Sequence, residues 1–206
     1  DSYASRADLL EFFPFLEERL SVVYPGIGER FGPASGERMA RLRETYSLHR
    51  PFLLFLSTLD PRKNLPRVLR AWSRIDSEAL GVELVVAGMS SEVFRGSAAQ
   101  ARELADLRSV RWLGFVPDDD LPVLLSASAG LVYVSLDEGF GFPPLEAMAC
   151  GRPAIVSSEG SLPEVCGEAA LFVDPRSEEA IADAMLTALS SPSSLHYLIG
   201  AGSDRA

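Results

Sequence analysis

Short apolar runs alternate with amphipathic segments along most of the chain. Six runs have the length of a strand: 52–57, 82–87, 110–114, 130–134, 154–157 and 170–173. Six segments have the spacing of helices: 65–75, 92–106, 118–127, 144–150, 161–166 and 177–190. Strands that are apolar throughout are typical of a sheet buried on both faces. The alternation therefore predicts an α/β protein in which helices cover both faces of a parallel sheet of about six strands.

The handedness of the connections favours one topology. Right-handed crossovers make a doubly wound, Rossmann-like parallel sheet the leading topology. If its strands have the common order 3-2-1-4-5-6, strands 52–57 and 130–134 are neighbours at the point where the winding reverses, which is where ligands bind in such sheets. The loops at their carboxyl ends, 57–64 (STLDPRKN) and 135–144 (SLDEGFGFPP), should lie side by side.

The first part of the chain has a different pattern. Residues 1–21 have helical spacing interrupted by Pro14, and 22–26 (VVYPG) have the pattern of a short strand that ends in a turn. Residues 28–36 (GERFGPASG) indicate a linker, and 37–47 have helical composition. The linker predicts that the sheet domain starts near residue 37.

Charge and composition exclude several classes of protein. The 206 residues carry a formal net charge of −10. A field of that sign opposes the phosphate contacts that sustain nucleic-acid binding, so no nucleic-acid partner is expected and any phosphate must be captured locally. No apolar run reaches the length of about 18 residues that spans a bilayer. Cys150 and Cys166 are predicted to be free buried thiols, which suits a cytoplasmic protein, and the isolated His49 and His196 predict no metal site.

The segment 138–151 (EGFGFPPLEAMACG) places two prolines before a helix. The residue before a proline avoids helical geometry, so Phe142 and Pro143 are expected to be extended. Proline suits the first position of a helix, so the helix is expected to begin at about Pro144. Gly151 is expected to end it.

A helix that begins there would create an anion site. The N–H groups of Leu145 and Glu146 would lack intrahelical partners and would lie beside the positive end of the helix dipole. Gly139 and Gly141 lack a Cβ atom, so the preceding backbone could approach a ligand closely.

The neighbouring loop adds positive charge. Lys63 and Arg62 precede Asn64, which is a plausible N-cap for the helix that opens at Leu65. Two cations and two helix openings suit a diphosphate better than a single phosphate. The loop 57–64 contains no glycine, which argues against a dehydrogenase or a nucleoside triphosphatase.

Each of these charges also has a plainer interpretation when taken alone. Glu146 suits a first-turn acid that complements the helix dipole, a contribution of about 0.3–1 kcal/mol. Glu138 suits a solvated loop charge, and Lys63 with Arg62 suits a solvated basic turn. Their joint arrangement favours a site that binds a diphosphate-linked sugar.

The segment 138–175 resembles the C-terminal half of the retaining family 4 glycosyltransferases of the GT-B fold, which share two glutamates separated by seven residues. The segments 56–72 (LSTLDPRKNLPRVLRAW), 84–89 (LVVAGM) and 110–128 (VRWLGFVPDDDLPVLLSAS) match that family in the same order and spacing. The resemblance covers about 56–190, and it implies a glycosyltransferase that takes a hexose from a nucleotide-diphosphate sugar and retains its configuration.

The resemblance also implies roles for individual residues. Glu138 matches the glutamate that contacts the donor sugar and is important for catalysis, and Lys63 matches the lysine that binds the diphosphate. Glu146 matches the glutamate that binds the ribose hydroxyls. The remaining donor-binding candidates are Gly139, Phe140, Gly141, Leu145, Val116, Thr58 and Gly88. Family members often have Gly-Arg where this chain has Ser57-Thr58, so Arg62 is the candidate for a second catalytic cation.

The expected domains follow from the same resemblance. Residues 1–36 match the end of an N-terminal acceptor domain and the linker, 37–192 the nucleotide-sugar-binding domain, and 193–206 a truncated C-terminal segment. The expected donor is a GDP- or UDP-linked hexose, with no other cofactor. The expected acceptor is a glycan or lipid-linked glycan bound through the N-terminal domain, with possible peripheral membrane association of the full-length protein. The chain alone is then expected to bind donor weakly and to transfer sugar poorly.

Two other functions are compatible with the same residues. One is a nucleotide-sugar-binding module without transferase activity. The other is a GT-B sugar-nucleotide epimerase, which product analysis would separate from a transferase.

Overall fold

The computed structural model describes residues 1–56, 60–88, 107–190 and 195–205. The predicted helix 92–106 and the candidate site residue Thr58 lie outside these ranges.

A single six-stranded parallel sheet forms the centre of the described structure. Its strands are β1 (Phe52–Leu56), β2 (Glu83–Ala87), β3 (Val110–Gly114), β4 (Gly130–Tyr133), β5 (Ala154–Ser157) and β6 (Leu171–Val173). Their order is β3-β2-β1-β4-β5-β6, and every neighbouring pair is parallel. The predicted fold class and strand order are therefore confirmed.

Helices cover both faces of the sheet and connect its strands. The first five are α1 (Tyr3–Phe12), α2 (Gly36–Tyr46), α3 (Leu65–Trp72), α4 (Ser77–Leu80) and α5 (Leu121–Ala127). The next four are α6 (Phe142–Ala149), α7 (Leu162–Cys166), α8 (Glu178–Ser190) and α9 (His196–Arg205). Short 3₁₀ turns occupy Pro14–Arg19, Pro61–Lys63 and Leu107–Ser109. The helices predicted from the pattern within the described ranges are present, with ends that differ by a few residues.

Alternate side chains of each central strand enter two separate cores. In β1, Phe52 and Leu54 pack on the face covered by α2, α5, α6 and α7, whereas Leu53 and Phe55 pack on the face covered by α3 and α8. All four are at most 1% exposed. Full burial on both faces explains why these strands are apolar throughout rather than alternating.

One predicted strand is wrong. Residues 22–26 have no regular secondary structure, and no strand of the sheet pairs with them. The Tyr24 ring instead contacts the Phe140 ring, with centroids 6.3 Å apart, and its hydroxyl donates to Glu164. Side-chain contacts with the loop before α6 therefore hold this segment.

The predicted state of the two thiols is confirmed. Cys150 and Cys166 are free and buried. Within the described ranges, no helix combines the length and hydrophobicity that crossing a membrane requires.

Candidate functional site

A cleft of about 570 Å³ lies at the carboxyl edge of the sheet. Seven of the predicted site residues line it: Lys63, Gly88, Val116, Glu138, Gly139, Phe140 and Gly141. They follow β1, β2, β3 and β4 in the chain, so the parallel strands deliver them to one edge. The two loops predicted to lie side by side therefore share a cleft at the reversal of the winding.

Lys63 lies at the centre of a small polar cluster. Its Nζ donates to the Tyr133 hydroxyl at 2.8 Å and to Glu138 Oε1 at 2.6 Å. The side chains of Lys63 and Glu138 are only 18% and 11% exposed. An ammonium group has three N–H donors, so these two bonds leave one for a ligand at the cleft.

Tyr133 ends β4 and completes this cluster. Burial raises the pKa of its hydroxyl, and the neighbouring Glu138 charge raises it further. The phenol therefore stays protonated at neutral pH and serves Lys63 as a neutral acceptor. It keeps the lysine at the floor of the cleft without neutralising its charge.

Ser161 fixes the loop that carries Glu138. Its side chain is fully buried, and its Oγ lies 2.8 Å from the carbonyl oxygens of both Glu138 and Phe140, which share its single hydrogen. This contact holds the backbone on both sides of Gly139. The loop is thus anchored from α7 while its carboxylate faces Lys63.

The helix α6 begins two residues earlier than predicted. Phe142 and Pro143 are helical rather than extended, and Gly141 precedes the helix with a φ of 109°. Prolines within the first turn remove N–H groups that have no intrahelical partner anyway, so they do not prevent an earlier start. Glycine accepts the positive φ that reverses the chain at this point.

The earlier start changes which groups lie at the helix opening. Gly141, Phe142 and Pro143 line the cleft together with Lys63. Leu145 is buried and is the fourth residue of the helix. The structure therefore brings the opening of α6 and the lysine together, with Gly141 and Phe142 at its mouth rather than Leu145 and Glu146.

Glu146 lies beside the cleft rather than among the residues that line it. Burial raises the pKa of its carboxyl; the Arg30 charge opposes this rise and the Asp118 charge adds to it. Arg30 and Asp118 form an ion pair at 3.1 Å, and Asp118 lines the cleft. Glu146 is therefore close to the cleft margin formed by the loop after β3.

Val116 and Gly88 line the cleft at the ends of β3 and β2. Val116 is buried just after β3, and Gly88 follows β2 with a φ of 97°. The Gly88 N–H donates to the Gly114 carbonyl at 2.9 Å, which joins the ends of these two strands.

Arg62 is not among the residues that line the cleft. Its guanidinium donates to Asp60, with Nη2 and Oδ2 2.8 Å apart, and its side chain is 56% exposed. The hydrogen bond and charge of Asp60 raise the pKa of Arg62 above its ordinary value. The structure therefore brings together Lys63 and Glu138, but it does not bring Arg62 to them.

Asn64 occupies the N-cap position of α3 but does not cap that helix through its side chain. Its Nδ2 donates to the Val134 carbonyl at 3.0 Å and to the Pro175 carbonyl at 2.7 Å. These buried carbonyls need donors, and Asn64 supplies both from a left-handed backbone conformation. The predicted cap is wrong, and the residue ties the Lys63 loop to the end of β4.

The N-terminal helix contacts the glycine loop directly. Ser2 is 1% exposed, and its Oγ donates to the Gly139 carbonyl at 2.6 Å while it accepts the Ser5 N–H at 3.0 Å. The carboxylate of Glu164 accepts the N–H groups of Tyr3 and Ala4 at the start of α1. The N-terminal segment is therefore attached to the site through both the loop and α7.

Glu164 is ionised in this arrangement. Burial alone would raise its pKa, but hydrogen bonds from the Tyr3 N–H, the Tyr24 hydroxyl and the Ala4 N–H outweigh that effect and lower the pKa. A carboxylate at the positive end of α1 is also favoured by the helix dipole.

We expect Ser2→Ala to loosen α1 from the glycine loop. The change removes an N-cap and a buried donor, each worth about 1 kcal/mol, so local opening should increase at least about fivefold. Hydrogen exchange at the amides of residues 5 and 6 measures this opening. The matched control is Ser5→Ala, which loses a hydroxyl 3.0 Å from the same carbonyl but caps nothing. Equal exchange in the two variants would contradict the assignment of Ser2.

Three contributors to the site were missed in the sequence. Tyr133 carries a polar tip at the end of an apolar strand, which is a usable signal because strand ends form the ligand edge. Ser161 precedes α7 at the carboxyl end of β5, where the same reasoning applies. Arg30 lies in the linker, and no local pattern connects it with Glu146.

The sequence matches the Glycosyl transferases group 1 family over residues 42–205, and the chain belongs to that family. O-antigen chain mannosyltransferase B from Escherichia coli is 33% identical over 196 residues, which cover 92% of this chain and 50% of that protein. The chain thus spans about half the length of this relative, and it spans about a quarter of the serotype-specific mannosyltransferase WbdA from Escherichia coli, to which it is 32% identical. The solved structures similar to this chain are GT-B glycosyltransferases, which agrees with the fold class predicted from the sequence.

Two solved structures have the same architecture. The C-terminal domain of a glycosyl transferase group 1 family protein, LpcC from Francisella tularensis, has a TM-score of 0.73 at 21% identity, covering 87% of this chain and 95% of that one. HepE from Anabaena, in complex with UDP-glucose, has a TM-score of 0.78 at 20% identity, covering 89% of this chain and 51% of that one.

Proposed function

We propose that this chain is the C-terminal, donor-binding domain of a retaining glycosyltransferase that takes a hexose from a nucleotide-diphosphate sugar. The observation that carries the proposal is the position of Lys63, which is bonded to Glu138 and Tyr133 in the same cleft as the opening of α6. A buried cation beside a helix opening suits an anionic group. The adjacent carboxylate suits the hydroxyl groups of a sugar.

The proposed reaction breaks the bond between the anomeric carbon and a diphosphate oxygen. Negative charge develops on the leaving diphosphate, and positive charge develops on the sugar ring. Lys63 and the N–H groups of Gly141 and Phe142 would stabilise the diphosphate, because fixed donors aimed at developing charge lower the barrier. Glu138 would face the sugar. In this proposal these groups supply the positive charge for which other enzymes use a divalent metal, and no further cofactor takes part.

Donor and acceptor are proposed at the level of class. The Escherichia coli relative is named a mannosyltransferase, and the Anabaena structure contains UDP-glucose. A GDP- or UDP-linked hexose is therefore the proposed donor. The proposed acceptor is a glycan or lipid-linked glycan held mainly by an N-terminal domain, of which residues 1–36 would be the end. Peripheral membrane association of that longer protein is part of the same proposal.

Calorimetric titration of the chain with UDP, GDP, ADP and dTDP tests the proposal. One of these nucleotides should bind, and Glu146→Ala should weaken its binding about tenfold, since a hydrogen bond to a charged group contributes about 1.5–3 kcal/mol. The matched control is Glu179→Ala. Glu179 is an exposed acid in the first turn of α8, on the other face of the sheet, and its loss should leave the affinity unchanged.

The two outcomes separate a ligand role for Glu146 from a purely structural one. If Glu146 only stabilises its helix, both variants lose a little stability and neither loses affinity for the nucleotide. A chain that binds none of the four nucleotides would contradict the proposed function. Product analysis with the full-length protein then distinguishes transfer from epimerisation or simple binding.

A further inference from the structure

A second cavity, of about 480 Å³, lies at the opposite edge of the sheet. Pro51, Ala129 and Pro153 line it, and each immediately precedes a strand, so the cavity is at the amino edge. A strand rises about 3.3 Å per residue, so strands of four or five residues separate the two edges by roughly 15 Å. No residue lines both cavities within the described ranges.

Two arginines line this cavity. Arg43 comes from α2, and Arg152 follows the end of α6. Arg43 Nη2 donates to the Ala127 carbonyl at 2.7 Å, and its Nη1 lies 3.4 and 3.3 Å from the carbonyls of Leu48 and Arg50. These neutral acceptors fix the guanidinium in place without compensating its charge.

Arg152 has an unsatisfied buried donor. Its Nε is buried and has no hydrogen-bond partner. In the part of the chain that the structure describes, no carboxylate lies within 4.0 Å of Arg152 or Arg43. Burial lowers the pKa of Arg152, and the Arg43 charge lowers it further. Arginine nevertheless stays charged in proteins, so two like charges share a cavity without a counter-charge.

A buried donor without a partner is costly, and native proteins satisfy most such groups. Arg43 and Arg152 are half-buried, and their two like charges in one cavity repel each other. An anion in the cavity would supply the missing counter-charge. The guanidinium fork matches the oxygens of a phosphate or carboxylate, often through two parallel hydrogen bonds.

We propose that the cavity at the amino edge binds a phosphate monoester with an apolar body, whose phosphate is held by Arg43 and Arg152. A phosphate monoester carries about 1.5 to 2 negative charges at neutral pH, which matches two arginines, whereas a carboxylate carries only one. The cavity is much larger than a phosphate group. Its other walls include Met39, Ala40 and Ala129, which suit an apolar substituent.

Titration of the chain with hexyl phosphate and with inorganic phosphate tests this proposal. Hexyl phosphate should bind more tightly than inorganic phosphate, because only the ester reaches the apolar walls. Arg152→Met should weaken the binding of hexyl phosphate at least tenfold. The variant should fold, since it removes a half-buried charge that lacks a counter-ion. Arg152→Gln is a second variant with the same expected loss.

Binding at the donor cleft must be separated from binding at this cavity. Lys63→Ala should leave the affinity for hexyl phosphate unchanged, and a saturating nucleoside diphosphate should not displace it. Equal affinity in the wild-type and Arg152 variants, or loss of binding in Lys63→Ala, would overturn the proposal. Vesicles with and without phosphatidic acid identify the source of the phosphate monoester. Binding to vesicles that contain phosphatidic acid, if it depends on Arg152, indicates a lipid. Binding of hexyl phosphate without any binding to these vesicles indicates a free ester.

Discussion

Replacing Lys63 with alanine is expected to lower the rate of sugar transfer by the full-length protein about a hundredfold, which corresponds to about 2.7 kcal/mol of transition-state stabilisation. The ammonium lies 2.6 Å from Glu138 Oε1 and 2.8 Å from the Tyr133 hydroxyl. Its loss removes the cation proposed to meet the diphosphate, and it leaves Glu138 as a largely buried charge without its partner. Measurement of kcat/KM with the donor identified by titration gives the size of the effect.

Two other cationic residues provide comparisons for this result. Arg74→Ala removes an exposed charge and should leave kcat/KM within about twofold of wild type, as expected for a surface substitution. Arg62→Ala tests the second cation predicted from the sequence. The Arg62 side chain donates to Asp60 and does not line the cleft, so we expect kcat/KM to fall less than about threefold. Equal losses for Lys63→Ala and Arg62→Ala would contradict the assignment of the diphosphate site to Lys63 alone.

Replacing Gly141 with alanine is expected to lower the free energy of unfolding by about 2–4 kcal/mol. Gly141 has a φ of 109°, which strains any residue with a Cβ atom, and the added Cβ would lie 2.5 Å from Leu162 Cδ2. Either the buried Leu162 side chain or the backbone must therefore shift at the point where the glycine loop enters α6. Urea unfolding measures the change in stability, and nucleotide titration should show weaker binding by the folded variant.

Gly26→Ala is the matched control for Gly141→Ala. A Cβ atom at Gly26 would meet no heavy atom within 4 Å, and its φ lies outside the positive region that disfavours side chains. We therefore expect a change of less than about 0.5 kcal/mol. If the two substitutions had the same effect on unfolding, the special geometry of Gly141 would not be needed for stability.

The apolar pattern was sufficient to predict the sheet. Runs such as Phe52–Leu56 are apolar throughout because both faces of the strand are buried. This apolar pattern does not depend on which residues pack against the strand. The doubly wound topology followed from the handedness of parallel crossovers, which depends on the chirality of the chain rather than on particular contacts. The observed strand order is the common one for such sheets. Lys63 and Glu138 could be predicted to share a site because parallel strands bring the loops at their carboxyl ends to one edge of the sheet.

Two local rules failed, for different reasons. The double proline predicted a helix start at Pro144, but the adjoining Gly141 allowed the chain to turn into α6 two residues earlier. Asn64 was expected to cap α3, but two buried carbonyls on distant segments accept hydrogen bonds from its side chain. Only in the case of Asn64 are the groups that decided the outcome far away in the sequence.

The sequence by itself determined the α/β class, the doubly wound topology, and the lysine and glutamate at the carboxyl edge of the sheet. These follow from periodicity, chirality and residue type, which are local properties. Only the tertiary structure decided that Ser2 attaches α1 to the glycine loop and Glu164 attaches it to α7, that Tyr133 supports Lys63, and that Arg43 and Arg152 share a second cavity. Each of these joins segments far apart in the chain, and no pattern within one segment records which distant group will satisfy a buried donor or charge.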